Sequence, residues 1–502
     1  MKKNISSILL MSLLLSFAAT AISCGENPTA PETTPADTEA AAPNESVETE
    51  PIAGEEELGA GNVLELFEQT SFNGTDFRIL GSKYYNTTIG GRQFPDEESN
   101  GEILNDELIK RDQMLEAYFD INVTYNHVEY EDWGELPPLV NQSVSAGDDI
   151  ADLLFGSLEI TLKPCLTAGS LVDMMNVPNL NFQNEWWHKT VTEDLNFSGK
   201  VFFASGNITP RAATSAFVVA FNKNLLTDYQ VEAPYDEVRE GTWTLDRLQT
   251  ICTDVYQDVD ESGSKSDGDF FGLVFEGGSQ NAFYTSVGGT IFELQPDGMP
   301  LWTADNEKNV GVIERLSAMI RTEDFHSPVY TYAANQAFRE SRSLFISFAC
   351  CDLSLLREME DDYGILPIPK LDEAQENYYC SANRWIATGV AVPKSLTVSE
   401  YERVGLLTEA MAALSTFTSY AAQYEDLLQA KYVRDVESIE MMRLAVAATK
   451  FDLGTIYGWG TADDMIDNIM LKGLPIASSL QRVRKLANNQ MESFINKLSA
   501  GE

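Results

Sequence analysis

The sequence predicts an α/β fold built as two lobes, and three observations carry that expectation. Short apolar runs that stop at Gly, Pro or polar residues alternate with stretches of helical spacing, as in α/β units around mixed or parallel sheets. About 440 residues follow an N-terminal leader and tether, more than a single hydrophobic core usually serves. Apart from Cys24 the cysteines are Cys165, Cys252, Cys350, Cys351 and Cys380, an odd set without zinc spacing, so the chain is not a disulfide scaffold and must carry its own core. Cys350 and Cys351 end an apolar run and read as buried structural thiols rather than a redox pair.

Lys2 and Lys3 precede the apolar stretch Ile8 to Leu15, and the small residues Ala21-Ile22-Ser23 lead to Cys24. This is the layout of a secretory signal peptide over residues 1–23, and its apolar run falls short of the roughly 18 residues of a membrane span. Ala21-Ile22-Ser23-Cys24 resembles the lipobox of bacterial lipoproteins, which implies that Cys24 becomes the lipid-bearing N-terminus. Residues 25–60 hold ten acids, no Lys or Arg and five prolines, a composition that cannot offset the entropy of ordering; 24–60 therefore reads as a lipidated cysteine with a disordered acidic tether.

The remaining elements follow in order. Phe77 to Leu80 is a strand ending at Gly81, and Leu104, Leu108, Leu115 and Phe119 mark one face of a helix. Ile121, Val123 and Tyr125 alternate as a strand; a helix from Pro137-Pro138 to Ala146 and a buried strand from Asp152 to Phe155 come next. Ala216 to Phe221 is a strand, Thr244 caps a helix expected to reach about Tyr256, and Leu344 to Ala349, Gly364 to Leu366 and Gly389 to Val392 are strands. Ser399 with Glu402 forms a capping box for a helix to about Leu414, and Leu480 to Leu498 is an amphipathic terminal helix. No internal repeat is found.

Several phrases now stand in order: Asn222-Lys223, Gly241-Thr242-Trp243-Thr244-Leu245, Tyr363 to Lys370, Gly389 to Lys394 and Lys431 to Asp435. Together they resemble the extracellular solute-binding proteins of ABC importers, specifically the sugar-binding lipoproteins. The resemblance implies a periplasmic-binding-protein-like Venus flytrap of class II, with lobe one at 61–216 plus 390–435 and lobe two at 217–389 plus 436–502. It further implies an interlobe cleft that closes by hinge motion on a small solute, ABC permease subunits as partners, a monomeric state and a lipid anchor on the outer face of the cytoplasmic membrane. No cofactor is required on this reading, and no enzyme activity is implied.

A carbohydrate offers hydroxyls at its rim and apolar C–H faces, so its cleft needs flat aromatic platforms and fixed polar groups. From lobe one, Lys83, Tyr84 and Ser157 follow strands and are expected to bond hydroxyls. From lobe two, Trp243, the loop Ser279-Gln280-Asn281, Asn383-Arg384-Trp385 and Tyr457-Gly458-Trp459-Gly460 are expected to close over the solute. The glycines beside Trp459 are expected to leave its ring accessible. Trp133 and Trp186 read as packing residues.

Asp258, Asp260, Ser262, Ser264, Ser266 and Asp269 place oxygens at positions 1, 3, 5, 7, 9 and 12 of a twelve-residue loop with Gly263 at position 6, the pattern of an EF-hand-like calcium loop. Asp269 in place of a bidentate Glu shortens the reach, and the expected calcium is structural. The net charge is −43 for the whole sequence and about −35 over 61–502, which argues against nucleic acid and anionic lipid as partners. His127, His188 and His326 stand in unrelated surroundings and form no catalytic or metal pattern. A glycoside hydrolase and a peptide-binding surface lipoprotein are the competing readings.

Overall fold

The computed structural model describes residues 58–82, 92–128, 134–195, 199–328, 332–428 and 434–500. The strands in chain order are β1 Thr75–Ser82, β2 Ile121–Val128, β3 Leu153–Ser157, β4 Phe217–Asn222, β5 Phe271–Phe275, β6 Phe292–Leu294, β7 Pro300–Trp302, β8 Phe325–His326, β9 Ser343–Ala349, β10 Tyr363–Leu366, β11 Cys380–Ser381, β12 Thr388–Ala391 and β13 Thr449–Lys450. They form a four-stranded sheet of order β12-β3-β1-β2 and a five-stranded sheet of order β10-β4-β9-β5-β8, beside two two-stranded pairs. Within the first sheet β1 is parallel to β2 and β3, while β12 returns antiparallel beside β3. In the second, β5 is parallel to β9 and β8, and β4 is antiparallel to β9 and β10. Chain that has passed through the second sheet therefore comes back to the first at β12.

The largely apolar sequences of β4, β5 and β9 are explained by their place: every residue in all three is buried, as in strands covered on both faces. The helix Ile103–Phe119 buries Leu104, Leu108, Leu115 and Phe119, the face read from its spacing. The helix after Thr244 is shorter than expected, Leu245–Cys252, because the chain turns extended at Thr253 and left-handed at Asp254. The capping box is made by Thr397 and Glu400, not by Ser399 and Glu402. The two S/T-x-x-E patterns overlap, and the earlier one starts the helix Val398–Ser415 because Thr397 takes the extended conformation and its N–H donates to the Glu400 carboxylate at 2.6 Å. The helix Ile476–Ala500 closes the fold.

Two buried carboxylates tie the surroundings of the first sheet together. Asp152, fully buried, accepts from Arg78 of β1 and from Arg403 of the helix Val398–Ser415, tying two distant chain segments to the first sheet. Glu409 on the same helix accepts from the indole N–H groups of Trp186 and Trp187 at 2.8 and 2.9 Å and from Asn184 at 2.6 Å, so Trp186 is a packing anchor as expected. All five described cysteines are buried and unbridged, and burial pushes the Cys165 and Cys380 thiols up to about 12. Among the described residues no helix is long and apolar enough to cross a membrane.

Candidate functional site

Where β3 ends, Ser157 caps a short π-helical turn, Leu158–Leu162, its Oγ accepting from the Ile160 N–H at 3.3 Å. The turn carries Glu159 and leads directly to Lys163. Just before β12, Asn383 folds the chain with an Asx turn, its Oδ1 accepting from the Trp385 N–H at 3.0 Å. Ser157 donates to the Arg384 carbonyl at 3.4 Å, joining the two segments. The third contributor is the helix Ala462–Lys472, whose first turn presents Asp463 and Asp464.

Arg384 links all three. Its guanidinium pairs with Glu159 at 3.3 Å, with Asp463 and with Asp464 at 3.8 Å, and stands 5.0 Å from the centre of the Trp385 ring. Lys163 pairs with Glu159 at 3.6 Å; burial lowers its pKa against the opposing pull of Glu159, and Arg384 adds to the lowering. On the same helix as Asp463, Asp467 accepts from Gln280 Nε2 at 2.8 Å, and burial raises its pKa. Trp385 itself is 44% exposed, the largest exposure of any tryptophan among the described residues. The result is an open aromatic face bordered by fixed donors and acceptors from three chain segments, which is what recognition of a polyhydroxylated ring requires.

Of the residues expected at the site, the structure brings Ser157, Gln280 and Trp385 to this neighbourhood, with Ser157 and Gln280 buried in positioning hydrogen bonds. Asn281 follows Gln280 on the helix Ser279–Ser286 and is partly exposed. Lys83 and Tyr84 lie outside the described residues, as do Trp133 and Cys24. Three expectations are corrected. Trp243 is fully buried, with its indole N–H donating to the Pro367 carbonyl at 3.0 Å and its ring against Phe345, so it is a core residue. Tyr457 and Trp459 are each 5% exposed and stack on one another at 4.8 Å, with Phe494 against both and Phe292 edge-on to Trp459. The glycine beside Trp459 serves packing rather than access: a Cβ on Gly460, at φ 67°, would meet Ala487 of the last helix at 2.7 to 2.8 Å.

Sequence reasoning missed Glu159, Lys163, Asp463 and Asp464, which carry no motif; their signal is only that they follow strand or helix ends whose partners are unknown before folding. It also missed Glu276, immediately after β5, and Asp352, three residues after β9, where ligands of open α/β sheets are commonly met. Burial, followed by the charge of Glu276, lifts the Asp352 carboxyl to about 7.

In the loop after Tyr256, ligand atoms of Asp258, Asp260 and Asp269 lie within 4.8 Å of one another. Asp258 accepts from the Ser262 and Gly263 N–H groups, and Asp269 from the Ser266 N–H, which wraps the loop around this point.

No protein family's sequence profile matches the chain, and no curated protein does. Solved structures do. The ABC substrate-binding protein Lmo0181 from Listeria monocytogenes, in complex with cycloalternan, superposes with a TM-score of 0.50 at 14% identity, covering 84% of this chain and 99% of that one. The maltose/maltodextrin-binding domain MalE from Bdellovibrio bacteriovorus, bound to maltotriose, gives 0.51 at 13% identity, covering 83% and 100%. The two sheets, the return of the chain to the first at β12 and these superpositions together give the chain the two-lobed α/β fold of ABC importer solute-binding proteins.

Proposed function

We propose that this chain captures a neutral carbohydrate against Trp385 and delivers it to the permease of an ABC importer. The observation that carries the reading is the exposed Trp385 ring held by Arg384 among Glu159, Lys163 and Asp463. The ring supplies the apolar platform and the charged groups supply directional bonds to hydroxyls. The two solved structures of the same fold are complexes with cycloalternan and maltotriose, which supports an oligosaccharide as the solute. Binding without cleavage fits the carboxylates beside Trp385, since Glu159 and Asp463 are both tied to Arg384 rather than set as an acid and a base across a bond.

The leader, Cys24 and the acidic tether support a secreted chain held on the outer face of the membrane by lipid on Cys24. The converging carboxylates of Asp258, Asp260 and Asp269, with Ser262, Ser264 and Ser266 in the same loop, support a structural calcium ion there.

A thermal-shift panel of mono- and oligosaccharides tests the carbohydrate. A ligand at 100 times its Kd is expected to stabilise the fold by about 2.7 kcal/mol. No shift from any carbohydrate would overturn this reading.

A further inference from the structure

Two chain segments meet across the boundary between the lobes. On the side of the first sheet, residues 384–387 are bonded to the end of β3: Ser157 donates to the Arg384 carbonyl at 3.4 Å, and the Leu158 N–H to the Ala387 carbonyl at 2.9 Å. Leu195 and Phe203 belong to the same side, since the adjoining Ala204 bridges Val390 of β12. On the side of the second sheet, residues 457–464 join the helix Leu453–Tyr457 to the helix Ala462–Lys472. The latter packs on the helices Ser279–Ser286 and Glu307–Ile320, which lie between β5 and β8 in the chain.

Side chains bond across this boundary. Asp463 pairs with the Arg384 guanidinium while only 2% of its side chain is exposed, and Asp464 lies 3.8 Å from the same group. The Tyr457 hydroxyl donates to the Leu195 carbonyl at 3.4 Å, and its ring centre is 6.3 Å from that of Phe203. Arg384 is braced from its own side by Glu159 at 3.3 Å, which fixes the guanidinium where Asp463 meets it. These bonds are made by the chain to itself, so they tie the lobes together without help from a solute.

The segment that carries both contacts is strained. Gly458, Gly460 and Thr461 take positive φ, at 62°, 67° and 53°. A β-branched residue such as Thr461 holds that conformation only where its surroundings impose it, and such strain gathers at clamps and switch regions. The Gly460 N–H donates to Gln490 of the last helix at 2.7 Å, which anchors the turn from behind. The turn thereby sets Tyr457 at its start and Asp463 at its end on the same boundary.

We infer that residues 457–464 are a clasp that keeps the lobes closed in the resting chain, with Asp463 and Arg384 as its pin. A solute then enters after the clasp opens. When the binding-competent conformation is a minor one, apparent affinity falls in proportion to its population, so the clasp tunes uptake from outside the solute's own contacts. The inference rests on the two-lobed fold and not on the chemistry of the solute.

The test is made on the full chain with no solute added, by small-angle X-ray scattering and amide hydrogen exchange. Asp463→Asn keeps the shape of the side chain and leaves Arg384 with Glu159; Tyr457→Phe removes a single hydroxyl. Each is expected to raise the radius of gyration above that of the unaltered chain, and the double variant to raise it further, with far-UV circular dichroism unchanged. In the double variant, amides of 157–163 and 457–463 are expected to exchange at least about tenfold faster while those of β4 and β9 keep their protection. An unchanged radius of gyration in the double variant would overturn the proposal, and so would a lowered melting temperature without expansion, which is what local packing alone gives. Should Asp463→Asn lose its circular dichroism, Tyr457→Phe decides, and no expansion there overturns the clasp. Failure of every carbohydrate to bind would overturn the reading of the Trp385 site and leave this measurement untouched.

Discussion

Replacing Arg384 by methionine removes a guanidinium that holds Glu159, Asp463 and Asp464 together. The consequences differ among the three partners. Asp464 is 60% exposed and loses little, because exposed pairs contribute about 0–1 kcal/mol. Glu159 keeps Lys163 at 3.6 Å. Asp463, at 2% exposure, is left as a buried carboxylate without the cation that pairs with it, and breaking such a pair from one side costs about 3–5 kcal/mol. Arg384→Met is therefore expected to lower the unfolding free energy by about 3 kcal/mol or more. Asp463→Asn added to it removes the stranded charge, so the double variant is expected to be more stable than the single one. Urea unfolding followed by both tryptophan fluorescence and far-UV circular dichroism measures the difference, provided the two probes coincide. A loss below about 1 kcal/mol for Arg384→Met, or a double variant no more stable than the single, would refute the view that this ion cluster organises the site.

Three further outcomes follow from the same structure. Asp352 titrates near 7 in the folded chain and near the ordinary aspartate value of about 3.9 in the unfolded one, so the folded state holds the proton more tightly. Its contribution to stability is present below about pH 4 and is lost as pH rises through about 7, by at most about 4 kcal/mol; in unfolding curves from pH 4 to 8, Asp352→Asn should flatten that decline. Gly460→Ala forces a Cβ into Ala487 and a non-glycine residue into positive φ, and should lower stability by about 1–3 kcal/mol, read as a reduced melting temperature. EDTA should lower the melting temperature of the calcium-loaded protein, with Asp258→Ala abolishing the effect; an EDTA effect that persists in that variant would place the ion elsewhere.

Much of the fold was legible because burial leaves a periodic trace. The apolar runs of β4 and β9 and the spacing of Leu104, Leu108, Leu115 and Phe119 each mark a buried face. β5 was not expected, although its Phe271–Phe275 run is as apolar as its neighbours, since a five-residue run without alternation does not separate strand from helix. Several of the recognisable phrases hold the second sheet's surroundings together, while Gly389 to Lys394 carries β12 of the first sheet. Lys223 reaches Asp435, where Tyr235 also donates, and the Trp243 indole anchors to the Pro367 carbonyl. These contacts join distant segments, and none of them involves the residues around Arg384. Trp385, the exposed tryptophan among the described residues, stands out in the sequence by its place beside a strand, whereas its charged neighbours carry no such signal. Glu159 and Asp463 are about 300 residues apart and meet through Arg384.

Trp385 as the platform of a carbohydrate site makes binding depend on its ring. Isothermal titration calorimetry of the chain and of Trp385→Ala with maltotriose and other neutral oligosaccharides tests it most directly. Saturable binding of at least one of them is expected, weakened in the variant by at least about tenfold, or about 1.4 kcal/mol, with the fold intact by circular dichroism. Binding that survives Trp385→Ala unchanged, or no binding from any carbohydrate, would contradict it.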